Sequence, residues 1–378
     1  MITPWTAGPG EEGAVRIVVT TCGTSILTNT SGDEDRRALI AHANRTEEEV
    51  RNLPEGERLR LNRAVARATS RLASAGPKDV RRLSAELNGL LARFPDPRQG
   101  GTHLLVTTDT WLGRKAAGLV REWLERRGCG VQEVIAPGGL SLRSPEDLRY
   151  GLTALVRELD GWLGEGGWTE ILFNLSGGFK AINGFLQAYA MLRGGEVFYI
   201  FERTHRCVTI PRMPITVDHA LFAEQVEVFR ALALGLPVPA AEPRRRRLPE
   251  ALWVEVDGGA MLTEWGELLW RRARETLYRK ALQPPPFGSR ITYARRLADR
   301  IGELDVNALH AFNRRVDQLA RCLATGVNLQ GLDFKPLAGD PRPPATHEFD
   351  VTHTHGALRG FGHFEHDTFV IEDVDWHD

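Results

Sequence analysis

A chain of 378 residues with 42% hydrophobic side chains is too long for a single efficient core and apolar enough to build two or three. Its 48 Lys plus Arg against 49 Asp plus Glu leave a net charge of -1, which excludes a polycation that coats nucleic acid over its whole surface. Four scattered cysteines, Cys22, Cys129, Cys207 and Cys322, form no CxxC pair, so neither a zinc ribbon nor a disulfide framework is expected, and the setting expected is a reducing cytoplasm without a signal peptide or membrane span.

In chain order, VRIVVTT (15–21) is a continuous apolar and β-branched run, the pattern of a strand buried on both faces of a parallel sheet. Comparable runs follow in HLLVTT (103–108), VQEVIAP (131–137), EILFNLS (170–176) and VFYIF (197–201). They alternate with amphipathic helical segments, which predicts a doubly wound, Rossmann-like α/β domain over residues 1–237. A charged, leucine-spaced insert at about 33–98 predicts helices added at its edge. GLPVPAAEPRRRRLPEA (235–251) breaks the periodicity and opens a predicted linker and connecting helical module at 238–289, with Arg244 to Arg247 as a solvated connector. Beyond it, ITYARRLADRI (291–301) and VNALHAFNRRVDQLARCLATG (306–326) predict helices. HEFDV (347–351), GALRGFGHFEHD (356–367) and TFVIEDVDW (368–376) predict antiparallel strands, giving a small α+β domain over 290–378.

Two polar loops follow predicted strands, where a doubly wound sheet binds ligands. TCGTSILTN (21–29) offers a glycine, the hydroxyls of Thr24, Ser25 and Thr28, and the amide of Asn29. NLSGGFK (174–180) offers two glycines that admit a phosphate to backbone amides, with Lys180 adding positive charge. Neither matches GxGxxG or GxxxxGK[ST], so a Rossmann dinucleotide site and a P-loop are both disfavoured; tight strand-to-helix packing is the bland explanation of Gly177 and Gly178. TTCGTSILTN together with NLSGGFKAI resembles the CARF domain of CRISPR-associated proteins, the sensor of cyclic oligoadenylates in type III interference. The resemblance implies a homodimer with Gly23, Thr24, Ser25, Asn174, Ser176, Gly177, Gly178 and Lys180 lining the pocket for the activating ring, cyclic tetra-adenylate above all, and no further cofactor. Some members of that family slowly cleave the ring with a hydroxyl and a lysine matching Ser25 and Lys180.

Six of the 11 histidines, His347, His353, His355, His363, His366 and His377, fall in the last 32 residues. Their spacing fits no metal frame such as HxxxH on a helix, so no metal is expected. The order of two helices, FKPLAGDP (334–341), THEFDV (346–351) and ALRGFGHFEHDTFVIEDV (357–374) resembles the RelE-type mRNA interferases over about 290–378. That resemblance implies a ribosome-dependent, metal-independent cut of mRNA, with Glu348 as general base, Arg359 on the phosphate and His377 as acid, helped by His347 and Lys335 and with Trp376 stacking on a base. RelE itself carries paired lysines where this chain has Glu348 and Asp350, so the base here would be a carboxylate. Residues 287–378 hold 10 basic against 14 acidic side chains, whereas 244–300 hold 13 against 7, so attraction to RNA would come from the preceding module. A HEPN nuclease is disfavoured because nine residues separate Arg300 from His310. The reading from another class is a DNA-binding, non-catalytic regulator that uses the basic LTEWGELLWRRARETLYRKAL (262–282).

Overall fold

The computed structural model describes residues 15–165, 170–201, 206–213, 218–337, 342–352 and 357–377. Two separate hydrophobic cores divide the chain into Met1–Thr216 and Val217–Asp378.

The first unit runs β1 (Arg16–Thr21), α1 (Ser25–Thr28), α2 (Asp33–Ala41), α3 (Glu47–Arg51), α4 (Glu55–Ser74), α5 (Pro77–Leu83), α6 (Ala85–Arg93), β2 (Thr102–Val106) and α7 (Trp111–Glu125). It continues with β3 (Gly130–Ile135), α8 (Pro145–Glu165), β4 (Glu170–Asn174), α9 (Lys180–Arg193), β5 (Glu196–Phe201) and β6 (Arg206–Ile210). The sheet order is β3-β2-β1-β4-β5-β6, parallel except for the edge strand β6, as a doubly wound α/β fold requires. Ile17, Val18 and Val19 of the central β1 are all 0% exposed, which is why an unbroken apolar run was needed there. Helices α2 to α6 form the insert, and Leu61, Ala64, Ala68 and Leu72, spaced along one face of α4, join the core with Leu112, Ala116 and Val120 of α7.

The second unit runs α10 (Ala220–Glu224), α11 (Val226–Leu234), α12 (Ala241–Arg245), the hairpin β7 (Trp253–Val256) and β8 (Gly259–Leu262), α13 (Glu264–Lys280) and β9 (Ile291–Tyr293). Then come α14 (Leu297–Gly302), α15 (Val306–Thr325), β10 (Lys335–Pro336), β11 (His347–Thr352), β12 (Ala357–Glu365) and β13 (Thr368–His377). The sheet order is β10-β11-β12-β13-β9, antiparallel except for the β13–β9 pair. Its core stacks Phe229 on Trp270 at 5.7 Å and continues through Tyr278, Phe312 and Phe349.

Two features differ from the pattern read along the chain, and the arginine run adds ion pairs to it. The division into units falls at Thr216/Val217 instead of at 237, and residues 238–289 share one core with the C-terminal sheet because Trp253, Trp270 and Tyr278 are buried among its side chains. The arginine run is solvated as expected, with the Arg244 and Arg245 side chains 60% and 69% exposed, and it also carries surface ion pairs: Arg244 meets Glu255, while Arg245 and Arg246 meet Glu242 at 2.6 and 2.7 Å. ITYARRLADRI begins as strand, since Ile291–Tyr293 pairs in parallel with Phe369, Val370 and Ile371, and only its second half is helical.

Candidate functional site

Strands β1 and β4 are neighbours at the point where the strand order reverses, so the loops that leave their carboxyl ends lie side by side. Thr21, the last residue of β1, donates its hydroxyl to the Gly177 carbonyl at 2.8 Å, and Asn183 of α9 donates to the same oxygen at 2.7 Å and to Leu175 O at 3.1 Å. The β4 loop is thereby folded back on its own helix. Gly178 takes φ +83, and a Cβ there would lie 2.8 Å from the Thr21 Cβ, so this residue has to be glycine on two counts. Lys180 is the first residue of α9 and is exposed. Thr24 caps α1, with Gly23 before it and Ser25 after it.

The structure therefore brings Gly23, Ser25, Asn174, Ser176, Gly177 and Gly178 together, and it adds a residue that the sequence reading missed. Glu86, 0% exposed in the first turn of α6, accepts hydrogen bonds from Gly23 N at 2.8 Å, Ser25 Oγ at 2.8 Å and Ser84 Oγ at 2.6 Å. Its backbone carbonyl accepts from Asn174 Nδ2 at 2.9 Å, and a Cβ on Gly177 would come within 2.2 Å of its Oε1. Ser25 Oγ in turn accepts from Ala85 N at 3.1 Å. Two buried polar atoms at this seam, Ser176 Oγ and Asn183 Oδ1, find no hydrogen-bond partner. Burial, reinforced by the Glu86 charge, pushes the Cys22 thiol well up, so Cys22 stays a neutral core residue beside the loop. Only the local S-x-E pattern before an apolar helix marks Glu86 in sequence, and that pattern reads as an ordinary helix start.

In the second unit, antiparallel register assembles the other candidate cluster. Glu348 lies opposite Lys335 on one side and Phe361 on the other, and Arg359 lies between Asp350 and Asp375. Arg359 Nη1 donates to Glu348 Oε2 at 3.2 Å, its Nε stands 3.4 Å from Asp350 Oδ1, and Lys335 Nζ stands 3.7 Å from Glu348 Oε1. Lys335 also contacts Asp333 at 2.5 Å, a bond that raises its pKa. Glu348 is 4% exposed, and its carboxylate is held between Lys335 and Arg359. Glu372 of β13 meets Arg296 at 3.0 Å and His363 Nδ1 at 3.5 Å.

His347 stacks on Phe334 at 5.4 Å, meets Phe364 edge-on at 5.2 Å and exchanges a hydrogen bond with Thr346 Oγ1 at 2.9 Å. Desolvation against these rings lowers its pKa, so it is neutral near pH 7. It belongs to an aromatic cluster and makes no described contact with Glu348 or Arg359. Trp376 is 46% exposed at the end of β13. His377 pairs in register with Ala357, two positions along from the Arg359–Asp375 pair, and its side chain lies outside the described residues. So do His353 and His355. Next to the cluster a pocket of about 210 Å³ is lined by Arg296, Arg342, Phe361 and Asp373, and the Arg342 guanidinium lies 4.3 Å from the Phe361 ring centre. Among the described residues no group of three His, Cys, Asp or Glu is placed to hold a metal ion, and no helix is long and apolar enough to cross a membrane.

With both clusters in view, the comparison with known families bears on the first. Residues 81–213 match the family model of a CRISPR-associated protein, Cas_APE2256. The matched stretch contains Glu86, β2 to β6 and the whole NLSGGFK loop, and it indicates a CRISPR-associated protein. The β1 loop and the second unit lie outside it. No curated protein matches the chain.

Proposed function

We propose that the chain is a signal-gated ribonuclease of CRISPR defence, in which the first unit binds a cyclic oligoadenylate and the second cuts mRNA on the ribosome. The observation that carries this reading is the pairing of two glycine-bearing loops at the switch point of a parallel sheet, one of them inside the CRISPR-associated segment. Such a cleft presents backbone amides and Lys180 to phosphates, and a homodimer would present the set twice to a two-fold symmetric ring.

For the second unit, the support is the Glu348–Arg359–Lys335 cluster on adjacent strands. In the proposed cut, Glu348 takes the proton of the RNA 2′-hydroxyl, and the 2′-oxygen attacks phosphorus while Arg359 and Lys335 stabilise the added negative charge. The P–O5′ bond breaks, and His377 returns a proton to the 5′-oxygen, a task suited to a group that titrates near neutrality. Arg359 would exchange its carboxylate partners for the phosphate as RNA enters. The helix considered as a DNA reader, α13, buries Leu268, Trp270, Ala273, Leu277 and Tyr278 in the core, so no observation favours the regulator.

Adding cyclic tetra-adenylate or hexa-adenylate to a purified translating system, with mapping of mRNA ends, tests the proposal. Ring-dependent ends that vanish with Arg359→Ala and with His377→Ala are expected. Cleavage that persists in both variants, or no cleavage with either ring, would sink it. Incubation of labelled ring with the chain separately tests whether Ser25 and Lys180 open the ring.

A further inference from the structure

An anion already occupies the β1 half of the cleft. Glu86 draws the Gly23 amide and the Ser25 hydroxyl to its two oxygens at 2.8 Å each, and these are the donors that a ligand phosphate would need. Its carboxylate is completely buried, so no ligand touches it in this arrangement. A phosphate placed on the same donors would clash with the carboxylate and face a like charge in a poorly screened interior, where repulsion is several times stronger than in water. The two anions therefore exclude each other.

The seam around Glu86 is also incompletely satisfied. Ser176 Oγ of the β4 loop and Asn183 Oδ1 of α9 are buried and make no hydrogen bond. Buried unpaired acceptors and hydroxyls carry a desolvation cost, so this packing is less favourable than its hydrogen-bond distances alone suggest. Gly177 adds a steric link, because its backbone runs so close to Glu86 that any shift of the β4 loop toward α6 meets the carboxylate.

We propose that Glu86 is an internal competitor for the anion cradle: ligand phosphate displaces its carboxylate from Gly23 N and Ser25 Oγ, and α6 moves as it leaves. This rests on the reading of the cleft as a cyclic oligoadenylate site. It makes Glu86 a determinant of ligand affinity and gives the helical insert a role in signalling, since the first turn of α6 is where binding is felt. It also sets an order for any ring cleavage, because the Ser25 hydroxyl is held between Ala85 N and Glu86 until the carboxylate departs.

Two measurements on the full chain decide it. Calorimetric titration with cyclic tetra-adenylate compares the wild type with Glu86→Gln, which keeps the shape and an acceptor oxygen but removes the charge. Charge-assisted hydrogen bonds are about twice as strong as neutral ones, so Glu86→Gln is expected to bind at least about tenfold more tightly. Hydrogen exchange of the wild type, which does not depend on how the variant folds, is expected to quicken at amides 85–88 when the ring binds. Equal or weaker binding by Glu86→Gln, or unchanged or slower exchange at those amides, would overturn the competition while leaving ring binding intact. Absence of binding by both proteins would overturn the ligand reading and the competition together, and binding by Glu86→Gln alone would support both.

Discussion

Arg230 offers the sharpest test of how the second unit is held together. Its side chain is 0% exposed on α11, with Nε donating to Asp317 Oδ1 at 2.7 Å, Nη2 to Asn313 O at 2.9 Å, and Nη1 to Gln283 O at 3.1 Å and Pro284 O at 2.5 Å. Tyr278 of α13 completes the set by donating to Asp317 Oδ2 at 2.6 Å. Burial alone would lower the Arg230 pKa, but Asp317 holds it above the ordinary value, so the pair stays ionised. Arg230→Ala leaves the buried Asp317 carboxylate without its cation, with only the Tyr278 hydroxyl still donating to it, and takes a donor from the Asn313, Gln283 and Pro284 carbonyls, of which Gln283 O keeps the Tyr293 hydroxyl. Removing one partner of such a buried pair costs about 3–5 kcal/mol. A typical domain has about 5–15 kcal/mol in total, so the variant should be marginal. Native-state hydrogen exchange of the slowest α15 amides reads the loss directly, undisturbed by the first unit. Arg230→Met combined with Asp317→Leu removes both charges and should recover a good part of the stability. A loss under about 1 kcal/mol for Arg230→Ala, or a double variant no better than the single one, would refute the assignment of this network as the tie between α11, α13 and α15.

Three further outcomes follow from the geometry. Gly177→Ala puts a methyl 2.2 Å from Glu86 Oε1, so without ligand it should cost about 1–3 kcal/mol and speed exchange along α6; unchanged exchange there would contradict the close approach. The His347 ring should titrate below about 6.5 in an NMR experiment on the full chain, because burial disfavours its charged form. Its folded pKa being depressed, its contribution to stability is present above the unfolded value and is lost as pH falls through that window, and His347→Gln should flatten this dependence. Asp305→Ala removes an N-cap that accepts from Asn307 N at 2.7 Å and Ala308 N at 2.9 Å, at an expected cost of about 1 kcal/mol in thermal or urea unfolding.

The parallel strands were legible because each is buried on both faces and so needs an uninterrupted apolar run; the full burial of Ile17, Val18 and Val19 is the reason for VRIVVTT. The glycine loops were legible for a similar reason, since Gly178 has a backbone shape and a close neighbour that exclude other residues. The stretch 238–289 was not. Its exposed arginines read correctly as solvated, but that Trp253, Trp270 and Tyr278 join the core of the C-terminal sheet was not visible, and just beyond it three residues of ITYARR become a strand only because Phe369–Ile371 accepts them.

Local chemistry, then, is what the amino-acid order dictates by itself: which runs must be buried, which positions tolerate only glycine, and which residue types are present for acid, base and phosphate work. Proximity was decided by the tertiary structure. Glu86 reaches Gly23 across 63 residues, a hydrogen bond that no periodicity encodes. The meeting of Glu348 with Lys335 and Arg359 depends on strand register, and a slip of one residue would turn each side chain to the opposite face.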